Sequence, residues 1–446
     1  MVKIHTVGGF SEVGKNMVAV ETEEDAFIFD EGFFLPAIVA MQEKDKDEYT
    51  YSESRLRHIK AIPDDLFLNS IRHKVRAQFI SHAHLDHVGA VPFISDRYNA
   101  PVYGTPFTTA VLDSLLVDNN IHLMNKVKSI HPNTSFYVQG KTKRYLVDFI
   151  NITHSTIQTS LIALHTDKGA IVYANDFKLD DNPILGLKPN YDKLRQLAKE
   201  GVCVLILDSL YSGSDRKTPS ERIARNLLEE VMFTPNNRNT GMVVTTFSSH
   251  IARLKSIVEF GKGLNREVVF LGRSLNKYCV AANNCGLAPF LKDVKIAKYR
   301  GQVDRLMKNI DRDRKKYLVV CTGHQGEPGS ILDRISSNKL SFKIREEDSV
   351  IFSSSVIPVE INLKNFQELE SKLKKCHARI FKDVHVSGHG GREDLREIIK
   401  LLNPQHIIPS HGGPDKTSPL IELATELGYK KDRSCHLMLD GQTLQL

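Results

Sequence analysis

The chain has 446 residues, too many for one small core at about 100–200 residues per domain, so a single small binding module is excluded and two or three compact units are expected. Hydrophobic residues at 41% and charged residues at 25% are ordinary globular values, and 60 basic against 53 acidic side chains leave a net +7, a mild bias toward polyanionic partners. No apolar run approaches the ~20 residues of a bilayer span, residues 1–10 lack a signal-peptide pattern, and the six dispersed cysteines form no C-x-x-C pair; a membrane protein and a disulfide or zinc-ribbon scaffold are therefore excluded, and a reducing cytoplasmic setting is expected.

Residues 2–7 read as a short alternating strand that turns through Gly8-Gly9, Glu12, Gly14 and Asn16 into a second strand at 17–22. A third strand, 26–29, runs into Asp30-Glu31-Gly32. Residues 41–60 are polar and weakly periodic, and predict a surface excursion with helical fragments, whose Tyr49 and Tyr51 are at least as consistent with packing as with base stacking. A strand at 77–81 leads into a histidine cluster, and short apolar runs at 145–152, 159–164, 170–174 and 202–207 predict further strands. After Leu210 the pattern changes to strands at 241–246, 267–271, 317–321 and 349–353 alternating with helices at 251–261 and 276–284, which predicts a parallel α/β block. A strand at 378–386 then carries a second histidine cluster, and another strand-like run ends at Pro409-Ser410-His411. Chemistry before and after the α/β block implies that the block, 210–370, is inserted between two parts of one domain, 1–209 and 371–446.

The densest chemical signal is Ser81-His82-Ala83-His84-Leu85-Asp86-His87. On an extended segment His82 and His84 share a face and can grip one ion, while Asp86 and His87, at the turn, can reach a second. His154 and Asp176, each at a strand end, can close the shells, and a carboxylate such as Asp176 can place one oxygen on each of two cations. In the α/β block, Thr245–His250, Gly272-Arg273-Ser274, Cys321–Glu327 and Ser353-Ser354-Ser355 each link a strand to a helix. One such loop is more often only a helix cap; four in one parallel sheet predict a phosphate-holding rim.

The H-x-H-x-D-H run, with His154, Asp176, Asp30 and His411, resembles the metallo-β-lactamase superfamily, and the inserted block with Asp208, His389 and His411 is similar to its β-CASP subgroup. Gly8-Gly9, Glu12–Met17, Ile62-Pro63-Asp64 and His385-Val386-Ser387-Gly388-His389 resemble the ribonuclease J family in its compact archaeal form. The resemblance implies an αβ/βα sandwich with an inserted parallel α/β domain and two zinc ions per chain. One zinc would be held by His82, His84, His154 and Asp176, the other by Asp86, His87, Asp176 and His411. It further implies catalytic roles for Asp86, Asp208 and His389, with Asp208 orienting a ligand histidine or assisting a metal-bound water and His389 facing the scissile phosphate. Substrate contacts would come from His385, Val386, Ser387, Gly388, His389, Ser353 and Ser355, the small Ser387 and Gly388 leaving room for a terminal phosphate. The chain departs from the bacterial pattern at Leu210, in the length of the 42–57 segment, and in ending about 35 residues after His411, before the further domain of bacterial relatives.

The expected activity is a 5′-to-3′ exoribonuclease favouring 5′-monophosphorylated single-stranded RNA, with a homodimer as the candidate assembly and no membrane partner. The alternatives are a β-CASP endonuclease of the cleavage-and-polyadenylation type, a small-ester or lactone metallohydrolase, for which an inserted second domain has no use, and a metal-binding scaffold without catalysis.

Overall fold

The computed structural model describes residues 1–44, 51–237, 239–357 and 359–446, so part of the 42–57 segment and Tyr49 lie outside the described residues. Two compact units emerge. Unit 1 comprises Met1–Asp181, Gly186–Thr218 and Gly388–Leu446; unit 2 comprises Asn182–Leu185 and Pro219–Ser387. In chain order the second is contained within the first, with changes of unit at 218/219 and 387/388 where composition suggests 209/210 and 370/371.

Unit 1 carries two mixed sheets. The seven-stranded sheet runs, in spatial order, Gln442–Gln445, Lys3–Gly8, Met17–Glu21, Ala26–Phe29, Val75–Phe79, Val102–Gly104 and Val127–Ser129. The six-stranded sheet runs His406–Ser410, Val202–Asp208, Gly169–Ala174, Ser160–Thr166, Arg144–Asn151 and Thr134–Gln139. The period of two decides which face each side chain joins. From the Gly169–Ala174 strand, Ile171 and Tyr173 enter a core shared with Phe27, Phe29 and Phe79 of the other sheet, whereas Val172 and Ala174 enter one shared with Leu194, Leu395 and Leu420 on helices. A third core packs Ile38 and Leu56 of the Leu35–Lys44 and Glu53–His58 helices against the far face of the first sheet. The result is the expected αβ/βα sandwich; the Glu53–His58 helix falls in the excursion read from sequence, whereas the Leu35–Lys44 helix begins before it and only its end overlaps.

Unit 2 has one parallel six-stranded sheet, ordered Val294–Ala297, Glu267–Leu271, Tyr317–Cys321, Met242–Thr245, Ser349–Phe352 and Arg379–Phe381. All four loops singled out in the sequence leave the carboxyl ends of its strands. The strand expected at 378–386 is shorter: only Arg379–Phe381 pairs, and with this sheet. Asp383 adopts φ 60°, which no strand accommodates, and the Val384 carbonyl turns to Arg253 and Ser353. Helices at Pro106–Asn119 and Arg300–Arg312 were not apparent from sequence, and the helix expected at 276–284 begins at Arg273. Among the described residues, no helix is long and apolar enough to cross a membrane.

Candidate metal centre

Strand ends of unit 1 deliver the site. Asp30 follows the Ala26–Phe29 strand, Asp176 the Gly169–Ala174 strand and His411 the His406–Ser410 strand, and all three adopt left-handed backbone, with φ of 57°, 53° and 59°. Asp and His tolerate this region better than most non-glycine residues, and such strain gathers where a side chain must be re-aimed at a site. Asp86 and His87 lie on the single helical turn Leu85–Val88 directly after the histidine pair.

Among the described residues two four-donor clusters form, beside a three-donor group of Asp176, Asp208 and His389. His82, His84, His154 and Asp176 make one; Asp86, His87, Asp176 and His411 make the other; within each, the donor atoms all lie within 4.8 Å of one another. In the first, His84 Nδ1 stands 3.1 Å from His82 Nε2 and 3.1 Å from His154 Nε2. His154 Nδ1 donates to the Gly388 carbonyl at 2.7 Å, so its Nε2 carries a lone pair. His82 Nδ1 donates to Ser81 Oγ, whose own proton goes to Asp30, so His82 Nε2 does the same. Burial lowers the pKa of His82 and holds His84 and His154 well below the usual imidazole range, which keeps the three rings in the neutral form that ligates metals. Ligands at 2.0–2.1 Å from a tetrahedral ion stand roughly 3.3 Å apart, close to the spacing found.

Asp176 joins the clusters through different oxygens. Its Oδ2 lies 3.4 Å from His82 Nε2 and 3.4 Å from His154 Nε2, while Oδ1 lies 3.2 Å from His87 Nε2 and 3.5 Å from His411 Nδ1. Buried Oδ1 has no hydrogen-bonding partner among the described residues, an arrangement that suits a cation between it and the histidines. Burial opposes ionisation of Asp176, but His411, His87 and His389 outweigh it and hold the carboxyl well below its usual range. Burial likewise opposes charge on His87, yet Asp176, Asp86 and Asp30 hold it well above its usual value, so the pocket favours positive charge there.

Supporting residues fix the rings. Asp30 accepts from the Ser81 N–H at 2.7 Å, from the Ser81 hydroxyl at 2.8 Å and from His87 Nδ1 at 2.6 Å, which turns His87 Nε2 toward Asp176. Asn16 places Nδ2 3.0 Å from His87 Nε2 and Oδ1 3.0 Å from His411 Nδ1. His389 Nδ1 donates to Asp208 at 2.8 Å while its Nε2 lies 3.8 Å from Asp176 Oδ2; burial works against the charge, but Asp176 and Asp208 raise its pKa to about 9.

Every histidine and carboxylate expected in unit 1 from the sequence is thus brought together, along with Gly388, whose carbonyl orients His154. Ser353, Ser355, His385, Val386 and Ser387 belong to unit 2. The Ser353 hydroxyl is engaged internally, donating to the Val384 carbonyl at 3.0 Å and accepting from Arg253 Nη1 at 2.8 Å. Sequence reasoning assigned no site role to Asn16; its place in the Glu12–Met17 motif was the available signal.

Residues 11–114 match the metallo-beta-lactamase superfamily, 239–367 the beta-CASP domain of ribonuclease J, and 375–433 the Zn-dependent metallo-hydrolase RNA specificity domain. With the sandwich, the inserted parallel sheet and the paired clusters, these matches define a metal-dependent nuclease of the β-CASP class, and the metallo-β-lactamase family implies a divalent metal at such a site. A ribonuclease J of Methanocaldococcus jannaschii is 39% identical over 444 residues, covering 99% of this chain and 98% of the relative, and one of Pyrococcus abyssi is 38% identical over 448 residues, covering 100% and 97%. The chain belongs to the ribonuclease J family. A ribonuclease J of Helicobacter pylori is 28% identical, covering 100% of this chain and 61% of the relative. A solved structure of a protein of unknown function from Enterococcus faecalis shares the fold, with a TM-score of 0.64, 16% identity and full coverage of both chains.

Proposed function

We propose that this enzyme holds two zinc ions and removes nucleotides from the 5′ end of single-stranded RNA, preferring a 5′-monophosphate. The observation that carries the reading is the division of Asp176, one oxygen toward each donor cluster. His82, His84, His154 and Asp176 would hold the first ion, and Asp86, His87, Asp176 and His411 the second. When bound, such a pair supplies positive charge at the scissile phosphate and makes water acidic enough to attack near neutral pH.

The chain's own residues account for proton movement. Asp208 accepts a hydrogen bond from His389 Nδ1 and fixes the ring, leaving Nε2 to face the site. The Asp176 and Asp208 carboxylates beside the ring favour its protonated form, which suits it to give an Nε2 proton to a departing 3′-oxygen. Support for a phosphate-holding rim comes from unit 2, at the carboxyl ends of its strands. There both ring nitrogens of buried His324, with Ser354 Oγ and Thr245 Oγ1, lack hydrogen-bonding partners among the described residues. Small hydroxyl-bearing loops at this edge suit a terminal phosphate, and a closed pocket disfavours a triphosphate by exclusion.

RNA labelled at either end and carrying a 5′-monophosphate or a 5′-triphosphate tests the reading in one time course. Labelled mononucleotide should leave the 5′ end first, faster from the monophosphate, and His389→Ala should keep its zinc while losing most cleavage. Internal fragments appearing first would favour the endonuclease alternative, and equal rates for both ends would remove the 5′ preference.

A further inference from the structure

The net charge of the chain is concentrated in one place. Between Lys292 and Lys316 there are ten Lys and Arg against four Asp, a net +6 where the whole chain carries +7. The segment comprises the edge strand Val294–Ala297 of the parallel sheet, the Arg300–Arg312 helix and the short turn Arg314–Lys316, all in unit 2. None of the residues of the two metal clusters belongs to that unit.

The helix sorts its residues by face. Val303, Met307 and Ile310 are buried in the core of unit 2, and Asp304 and Asp311 pair with Arg334 at 3.3 Å and Arg345 at 3.2 Å, so its acids are drawn toward neighbouring elements. Arg305, Lys308 and Arg312, spaced three and four apart, form one exposed stripe. With Arg300 and Lys315, they have no ion-pair partner among the described residues. Like charges at this spacing repel, so an unpaired stripe is unfavourable for the isolated helix and calls for an external anion. At the helix start, Tyr299 is 58% exposed with the Lys298 ammonium 4.9 Å from its ring centre. An exposed aromatic beside unpaired cations suits a single-stranded nucleic acid, whose bases stack while its phosphates pair with the charges.

We propose that this face, Tyr299 with the Arg305, Lys308 and Arg312 stripe, is an accessory contact for the backbone of long single-stranded RNA, separate from the groups that cut it. The proposal rests on the reading of the enzyme as acting on RNA. Its role is to retain substrate: each contact adds affinity that depends on salt and not on sequence.

The test compares wild type with the triple variant Arg305→Gln, Lys308→Gln, Arg312→Gln in the full metal-loaded chain. Equilibrium binding of a single-stranded RNA of roughly 40 nucleotides is measured across a salt series, with cleavage of a five-nucleotide RNA in parallel; a long strand can reach the stripe whatever the arrangement of the units. The long RNA should bind about tenfold more weakly at low salt, with the log–log salt slope shallower by about 2, roughly 0.7 for each of three lost phosphate contacts. Cleavage of the five-nucleotide RNA should be unchanged. Unaltered affinity and slope for the long RNA overturn the proposal, whatever other acidic surface the variant ceases to bind. Equal losses on the long and short substrates overturn it too, because the stripe would then serve the reaction itself; an unchanged melting temperature guards against misfolding. A wild-type enzyme that binds but does not cut RNA would sink the nuclease reading alone, since the binding comparison still decides the surface.

Discussion

A methyl group added at Gly388 would sit 2.7 Å from Ser155 Oγ, 2.8 Å from Ser155 Cβ and 2.9 Å from His154 Cε1, closer than real contacts allow. The glycine also supplies the carbonyl that fixes the His154 tautomer, so a close approach and an orienting bond coincide at one residue. Gly388→Ala should therefore displace His154 and weaken zinc binding by about 10- to 100-fold. Competition with a chelator reads this directly, and wild-type affinity would show that the ring has room to move. At this scale the sequence is most legible where partners are close: His82, His84, Asp86 and His87 fall within six residues and follow one strand. The roles of Asn16 and Asp30 were not legible, because the imidazoles they orient lie 57 to 395 positions away and come into reach only when strand ends meet.

The elements of unit 2 are tied by a buried charge. Arg253, on the Ile251–Gly263 helix, makes a two-pronged pair with Glu221 at 2.6 and 2.8 Å and also donates to the Ser353 carbonyl at 2.9 Å. It thereby joins two helix starts to the end of the Ser349–Phe352 strand. A serine in a strand-to-helix loop looks the same in sequence whether it faces a ligand or a buried arginine; the hydroxyl of Ser353 faces Arg253. Burial resists ionisation of Glu221, but Arg253 and His250 hold its carboxyl well below the usual range. A depressed carboxyl stabilises the fold above its unfolded-state pKa of about 4.3, and that contribution disappears as pH falls below this value. Glu221→Gln should cost about 3–5 kcal/mol near neutral pH by stranding the Arg253 charge, and should lose less stability than wild type on going from pH 6 to pH 4. Denaturant melts at the two pH values check the sign; parallel losses in both proteins would assign the acid sensitivity to other groups.

In the whole molecule, chain order carried much of the architecture. Chemistry at residues 82–176 and again at 389–411, flanking a strand–helix alternation, is what an inserted domain produces, and units 1 and 2 interleave in that way. The details that escaped depend on long-range pairing: Arg379–Phe381 joins the sheet of unit 2 by lying beside the Ser349–Phe352 strand, and nothing local marks that choice. The Arg300–Arg312 helix escaped although Val303, Leu306, Met307 and Ile310 recur at helical spacing, because charged or polar residues fill every position between them. What the architecture achieves is the meeting of strand ends around Asp176, whose two oxygens face different donor clusters. The most direct test is the zinc content of wild type and Asp176→Asn, measured by elemental analysis after equilibration with excess zinc and removal of loose ions. Asparagine keeps the shape and tolerates the φ of 53° but lacks the bridging charge. The account predicts about two zinc ions per wild-type chain and a loss from both sites, to below about one, in the variant; a variant that retains the full wild-type content would contradict it.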